Sequence, residues 1–360
     1  FCILSAFFLL GVNMGIIPHM KRPVLLLILI TILLCGVMFV VIQKTPPPSP
    51  PPAVYEISFS TPGQPDAQRM EQQLCDWIAN TQRHLDIAAF DIDLPCVGEQ
   101  LTRLHQKGVA LRIVTDSDHD TDLIQKLKPL GIPIHFDERS AFMHNKFLIQ
   151  DQKRVWTGSL NLTHNGVYRN NNNVVRIANE DVARLFTAEF EELFAGAFGP
   201  TSPRQALPAF VAPQGHKMEV LFSPEDPVQE RVLDILRGAQ KHIVFMAFSF
   251  TDDAMGKVLA EKAAAGVLVQ GVFERSGAGS KYSEYGRLKR AGADVKKDGN
   301  KGIMHHKVMI VDDNTVITGS YNFSKNANKS NDENVVILHD NPDAARLYLQ
   351  EFQQVYALAK

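Results

Sequence analysis

The stretch His305–Asn322, HHKVMIVDDNTVITGSYN, decides the fold. If it opens as a strand, period-2 alternation puts His305 and Lys307 on one face with Ile303, Met309 and Val311, while Met304, Val308 and Ile310 line the other. A strand apolar on both faces belongs inside a sheet that is covered on both sides. A histidine and a lysine at its head are then poorly solvated, a cost that a purely structural role does not explain. Asp312-Asp313-Asn314 supplies turn chemistry, Val316-Ile317-Thr318 reads as a return strand, and Gly319-Ser320-Tyr321-Asn322 follows as a small polar turn.

Residues His144–Asn161, HNKFLIQDQKRVWTGSLN, repeat the pattern. His, Lys, Asp, Gly, Ser and Asn recur at one offset: 305 − 144, 307 − 146, 312 − 151, 319 − 158, 320 − 159 and 322 − 161 all equal 161. The match extends from Leu127-Lys128 and Gly131 against Leu288-Lys289 and Gly292 to Asn173-Val174-Val175 against Asn334-Val335-Val336. The chain therefore contains an internal duplication.

The pattern His-x-Lys-x4-Asp followed by Gly-Ser-x-Asn, present twice, resembles the phospholipase D superfamily over roughly residues 55–355. The resemblance implies two similar lobes, each a sheet flanked by helices, with both signatures at one active site in their interface. It is far more specific for the superfamily than for a substrate, because members include lipid hydrolases, transphosphatidylases such as cardiolipin synthases, and nucleases. The local patterning agrees with an α/β fold. Strands are expected at 56–60, 84–92, 110–115, 218–222, 243–250 and 267–273, and helices near 67–81, 97–107, 122–130, 180–194, 228–239 and 254–265.

Metal-independent phosphodiester cleavage needs positive charge around the non-bridging oxygens, a nucleophile, and an acid for the leaving oxygen. Lys146 and Lys307 can supply the charge, and Ser159, Asn161, Ser320 and Asn322 can add phosphate hydrogen bonds. One histidine attacks to form a phosphohistidine while the other protonates the leaving group and then activates water. The resemblance implies His144 as nucleophile and His305 as acid and base, although the residues alone do not break that tie. Asp151 and Asp312 each follow a strand at a turn and are expected to hold the hairpin rather than to touch phosphate. Glu333 matches the family's downstream acidic residue, which orients a catalytic imidazole, and is expected to reach across to His144. The first copy has Asn172 at that position, so the two histidines should differ in basicity.

From Val24 to Ile42 run 19 residues without a charge, after Lys21-Arg22. That is close to the length of a membrane span, and the basic flank favours an extracytoplasmic domain behind a single-pass N-terminal transmembrane helix. A cleaved signal, giving a secreted protein, is the rival reading. The chain begins at Phe1, with Met14 and Met20 as alternative starts. The expected order is a leader over 1–23, the membrane helix over 24–42, a Pro-rich spacer over 43–54, one lobe over 55–198, a linker over 199–217 and a second lobe over 218–360.

Beyond Thr45 there are 34 basic residues (37 less Lys21, Arg22 and Lys44) against 39 acidic ones. That is not the footprint of a non-specific nucleic-acid binder. It favours a phospholipid substrate, with nucleic acid as the alternative. The run Lys281, Arg287, Lys289, Arg290, Lys296, Lys297 and Lys301 suits either a phosphate-steering patch or a solvated face, with the solvated face slightly ahead. No C-x-x-C or H-E-x-x-H pattern supports zinc, and no cofactor is expected. Cys75 and Cys96 are spaced for one disulfide in an oxidising compartment. With both signatures in one chain, a complete site needs no protein partner.

Overall fold

The computed structural model describes residues 30–31, 54–203, 210–211, 215 and 217–360. The expected membrane helix and Pro-rich spacer lie outside these residues, apart from Ile30, Thr31 and Val54. Among the described residues no helix is long and apolar enough to cross a membrane. Residues Ala53–Lys360 form one compact unit.

The first copy contributes β1 (Tyr55–Ser60), β2 (His84–Ala89), β3 (Ala110–Asp116), β4 (Ile134–Asp137), β5 (Lys146–Gln150), β6 (Arg154–Gly158) and β7 (Asn170–Ala178), in the spatial order β1-β7-β6-β5-β2-β3-β4. The second contributes β8 (Phe210–Val211), β9 (Met218–Ser223), β10 (His242–Ala247), β11 (Leu268–Phe273), β12 (Asp294–Lys297), β13 (Ile303–Met304), β14 (Lys307–Val311), β15 (Thr315–Gly319) and β16 (Glu333–Leu338). Its sheet runs β12-β11-β10-β14-β15-β16-β9-β8, the same order read from the other edge with β8 added. The two-lobed α/β expectation holds, and the duplication in sequence is a duplication of topology. Both sheets are mixed. β2, β3 and β4 pair in parallel in the first copy and β10, β11 and β12 in the second, and each signature hairpin pairs antiparallel.

Alternation sorts each signature strand between two cores. Phe147 and Ile149 face a core shared with the second copy's Val308 and Ile310, whereas Leu148 and Met309 face separate outer cores. The shared core is filled by helices Glu180–Phe194 and Pro342–Leu358, each of which contacts both sheets. Asn179 and Asn341 start these helices, their side-chain oxygens accepting from the amides of Val182 and Ala344. Phe147, Phe186, Phe190, Phe222 and Tyr348 are all at most 2% exposed in this layer. Each is worth roughly 2 kcal/mol of burial, so the layer stabilises the joined lobes by on the order of 10 kcal/mol. Cys75 and Cys96, with Cα atoms 6.2 Å apart, link two helices of the first lobe through a disulfide.

Candidate active site

Each signature begins with a residue fastened to the opposite copy. The His144 amide donates to the Asp332 carbonyl at 2.9 Å, and the His305 amide donates to the Asn171 carbonyl at 2.9 Å. Around them Met143 bridges to Asp332, and β13 pairs with the start of β7. Asp116 and Glu274, at the ends of equivalent strands, accept from the amides of Met143 and Met304. These cross-lobe bonds correct one expectation. His144 and His305 do not open the signature strands, which start at Lys146 and Lys307, because the backbone just before them pairs with the other sheet.

Beyond the strands, Asp151-Gln152 and Asp312-Asp313 turn with φ of 52° and 56°, and of 51° and 58°. Two successive positive φ values make the tight turn whose twist suits a hairpin. Asp151 accepts from the amides of Gln82, Arg83 and His84, and Asp312 from those of Gln240, Lys241 and His242. Burial opposes the charge of both carboxylates, but the three donors outweigh it and hold them below the ordinary range. Both therefore clamp the entry to the neighbouring strand, β2 or β10, in addition to shaping their own hairpin. The return strands end at Gly158 and Gly319, at φ 146° and 147°. A Cβ there would stand 2.2 Å from the Asn173 oxygen and 2.1 Å from the Asn334 oxygen, so only glycine lets β7 and β16 come this close.

That approach brings Ser159 against β7 and Ser320 against β16. The Ser320 hydroxyl donates to Glu333 Oε2 at 2.6 Å and the Ser159 hydroxyl to Asn172 Oδ1 at 2.8 Å. Both serines are fully buried, and in the absence of substrate their hydroxyls brace Asn172 and Glu333. Asn161 and Asn322 are half-buried, and each keeps a buried Oδ1 without a partner among the described residues.

The histidines differ as the sequence suggests. His144 Nδ1 lies 2.7 Å from Glu333 Oε2. His305 Nδ1 lies 3.0 Å from Asn172 Oδ1 and 3.1 Å from the Ser159 carbonyl. As a carboxylate, Glu333 also accepts from Ser320 and from Asn331 Nδ2. In both copies Nδ1 is thereby used for anchoring and Nε2 is left for chemistry. Lys146 and Lys307 fold back alike, Nζ donating to the carbonyls of His144 at 2.7 Å and His305 at 2.8 Å. Two residues not singled out from the sequence complete the symmetry. Phe90 and Phe248, just past β2 and β10, lie against His144 and His305 with centroids 4.9 and 4.7 Å away, and carry the two ammonium groups 5.0 and 4.7 Å above their rings.

Burial governs the protonation of this cluster. It lowers both imidazoles well below their usual range, assisted by the two lysines. It holds Lys146 down to about 7 and pushes Lys307 down as well, while Glu333 is pushed up to about 8. Such a site sheds charge when dry and regains ammonium character when an anion enters. A cleft of about 1010 Å³ lies over the outer helices of the first lobe, and none of these catalytic candidates lines it.

The basic run from Lys281 to Lys301 is mostly engaged locally. Arg287 pairs with Asp253 and Glu284, Lys289 donates to the Val295 carbonyl, and Lys281, Lys296 and Lys297 lie over Tyr282, Tyr356 and Tyr285.

The family model described as "Cardiolipin synthase, PLD-like domain" matches residues 74–194 and 232–356, one match in each lobe. A human protein named mitochondrial cardiolipin hydrolase is 33% identical over 142 residues, covering 39% of this chain and 56% of that protein. A phospholipase D of Rickettsia conorii is 35% identical over 136 residues, covering 38% of this chain and 68% of its own length. The chain thus spans little more than half the length of the human relative. A phosphatidylserine synthase structure from Haemophilus influenzae superposes with a TM-score of 0.64 over 84% of this chain and 87% of its own, at 14% identity, which speaks for the fold alone. With the family model matched in both halves and the duplicated signature closing on one site, the chain belongs to the phospholipase D superfamily.

Proposed function

We propose that this protein is a phosphodiesterase that hydrolyses phospholipid phosphodiester bonds through a phosphohistidine on His144, without a metal in the chemistry. The observation that carries the reading is the inequality of the imidazoles: a carboxylate at His144 Nδ1 and a neutral amide at His305 Nδ1. When His144 Nε2 attacks phosphorus, its ring becomes cationic, and the Glu333 carboxylate stabilises that charge where it develops. The bond from phosphorus to the leaving oxygen breaks, and that oxygen takes the Nε2 proton of His305. Asn172 lends His305 no negative charge, so its imidazolium gives up the proton more readily. His305 then takes a proton from water, whose oxygen attacks phosphorus and breaks the P–N bond. Throughout, Lys146 and Lys307 face the non-bridging oxygens and gain charge as the phosphate enters. Asn161 and Asn322 offer further hydrogen bonds.

The lipid substrate is supported by the relatives named cardiolipin hydrolase and phospholipase D, and by the acidic balance of the chain beyond Thr45. The apolar run 24–42 would tether the lobes on the extracytoplasmic side of a membrane. A nuclease is the second reading, favoured by the Lys281–Lys301 run and disfavoured by its local pairings. A cardiolipin synthase-type transferase, in which an alcohol replaces water, is the third. The test presents the full chain, without added metal, to phosphatidylcholine and cardiolipin vesicles and to single-stranded DNA, beside His144→Asn. Phosphatidic acid released by the wild type and lost in the variant is the expected result. Cut DNA beside intact lipid would overturn the lipid assignment, and a phosphatidyl product formed only with added alcohol would overturn hydrolysis.

A further inference from the structure

On the far side of the His144 segment from the catalytic cluster, three carboxylates converge where lobe one meets the turn after β9. Glu189 and Glu192 come from helix Glu180–Phe194 and Glu225 from that turn. One oxygen of each lies within 4.8 Å of the others. Glu189 is 1% exposed, and its Oε2 has no hydrogen-bond partner among the described residues. Both oxygens of Glu225 are buried and meet no described donor beyond its own amide and the Glu189 carboxyl it faces, and no described cationic side chain forms an ion pair with either residue. Arg139, the guanidinium of this region, is committed to Asp137 and Asp332. Glu192 spends one oxygen on the Ser202 hydroxyl and has the other to offer.

An independent residue points at the same place. Asn145, between His144 and Lys146, is fully buried and turns its amide onto Glu189, Nδ2 donating to Oε1 at 3.4 Å. The Oδ1 of that amide has no partner among the described residues. The second copy shows what the first lacks. There His306 holds the position of Asn145, and its Nε2 meets Glu351 of the other inner helix at 3.1 Å. A basic ring answers the helix glutamate in copy two, whereas copy one sets an amide and two more carboxylates around it.

We propose that Glu189, Glu192 and Glu225 bind one divalent cation of the calcium class, which ties the first lobe's inner helix to the second lobe's β9 turn and satisfies Asn145 Oδ1 through a bound water. An all-oxygen, carboxylate-rich set selects a hard cation over zinc. Oxygens within 4.8 Å of one another are close enough to share one ion. The site stands apart from the reacting atoms, and its role is to hold the lobes together beneath His144.

The test takes the full chain, stripped with chelator, into calorimetric titration with calcium chloride and into thermal melts with and without millimolar calcium. One calcium per chain and a Tm raised by about 5 °C are expected. Glu189→Gln and Glu225→Gln should each melt cooperatively and lose both signals. Should either fail to fold, Glu192→Gln, at a half-buried position, carries the same expectation. No binding heat and an unmoved Tm in the wild type would overturn the proposal, leaving a proton shared between two carboxyls. A calcium shift retained in the folded variants would overturn it as well, since the ion would then sit elsewhere.

Discussion

At Nδ1, His144 meets a carboxylate oxygen 2.7 Å away and His305 an amide oxygen 3.0 Å away, and in the proposed mechanism that difference in charge divides their chemistry. Replacing Glu333 by Gln keeps the shape and removes the charge, so kcat should fall about 100- to 10,000-fold with KM little changed. Asn172→Glu should instead strengthen the hold of His305 on its proton, and the basic limb of the pH–rate profile should move to higher pH. An unmoved limb would mean that His305 is not the acid. Glu333, pushed up to about 8 by burial, must be ionised to support the phosphorylated ring, so kcat/KM should rise with pH toward about 8. The same group works against stability. Its folded pKa lies above the unfolded value of about 4.3, so the folded state binds the extra proton, and this contribution declines as pH rises from about 4 to about 8. The pairing of Glu333 with His144 was expected from the family resemblance, with the asymmetry of Glu333 against Asn172 distinguishing the two histidines. The contacts of Ser159 and Ser320 with Asn172 and Glu333 were not, because they follow from the close strand approach.

Among the elements, the signature hairpin was the most readable, since alternation, turn residues and the two glycines all act locally. Gly319→Ala would set a Cβ 2.1 Å from the Asn334 oxygen and force β15 and β16 apart. A loss of about 2–4 kcal/mol in urea unfolding is expected. Asp312→Ala strips three amides at the head of β10 of their acceptor and should cost about 1–2 kcal/mol. Because its pKa is depressed in the fold, that stabilisation is present above about pH 4 and fades as pH falls through the folded pKa, so wild type and variant should converge in acid melts. Equal melts of the two at neutral pH would refute the clamp. Helix Glu180–Phe194 has the bounds expected from the sequence, and Asn179 caps it. Helix Pro342–Leu358, capped by Asn341, was not among the expected helices. Short edge strands such as β4 and β12 carry too few residues for a period to emerge.

Across the whole molecule, the proposed catalytic site is built by exchange between the copies: His144 meets Glu333 and His305 meets Asn172, each from the opposite lobe. Residues 54–198 alone would lack the carboxylate and expose the aromatic layer of the shared core. Such a fragment should bind hydrophobic dye and be inactive, and a fragment with wild-type turnover would break the account. That two copies meet was implied by family resemblance. That they meet by crossing backbone bonds at His144 and His305 was not legible, because pairing between distant segments leaves no local trace in sequence. The division of labour rests finally on where phosphorus goes. The most direct measurement is rapid quenching of the full chain with substrate carrying labelled phosphate, followed by peptide mapping. Label on His144 that is absent in His144→Asn and accumulates in His305→Ala when the leaving group needs no acid is the predicted result. Label on His305, or turnover with no labelled histidine in either protein, would contradict it.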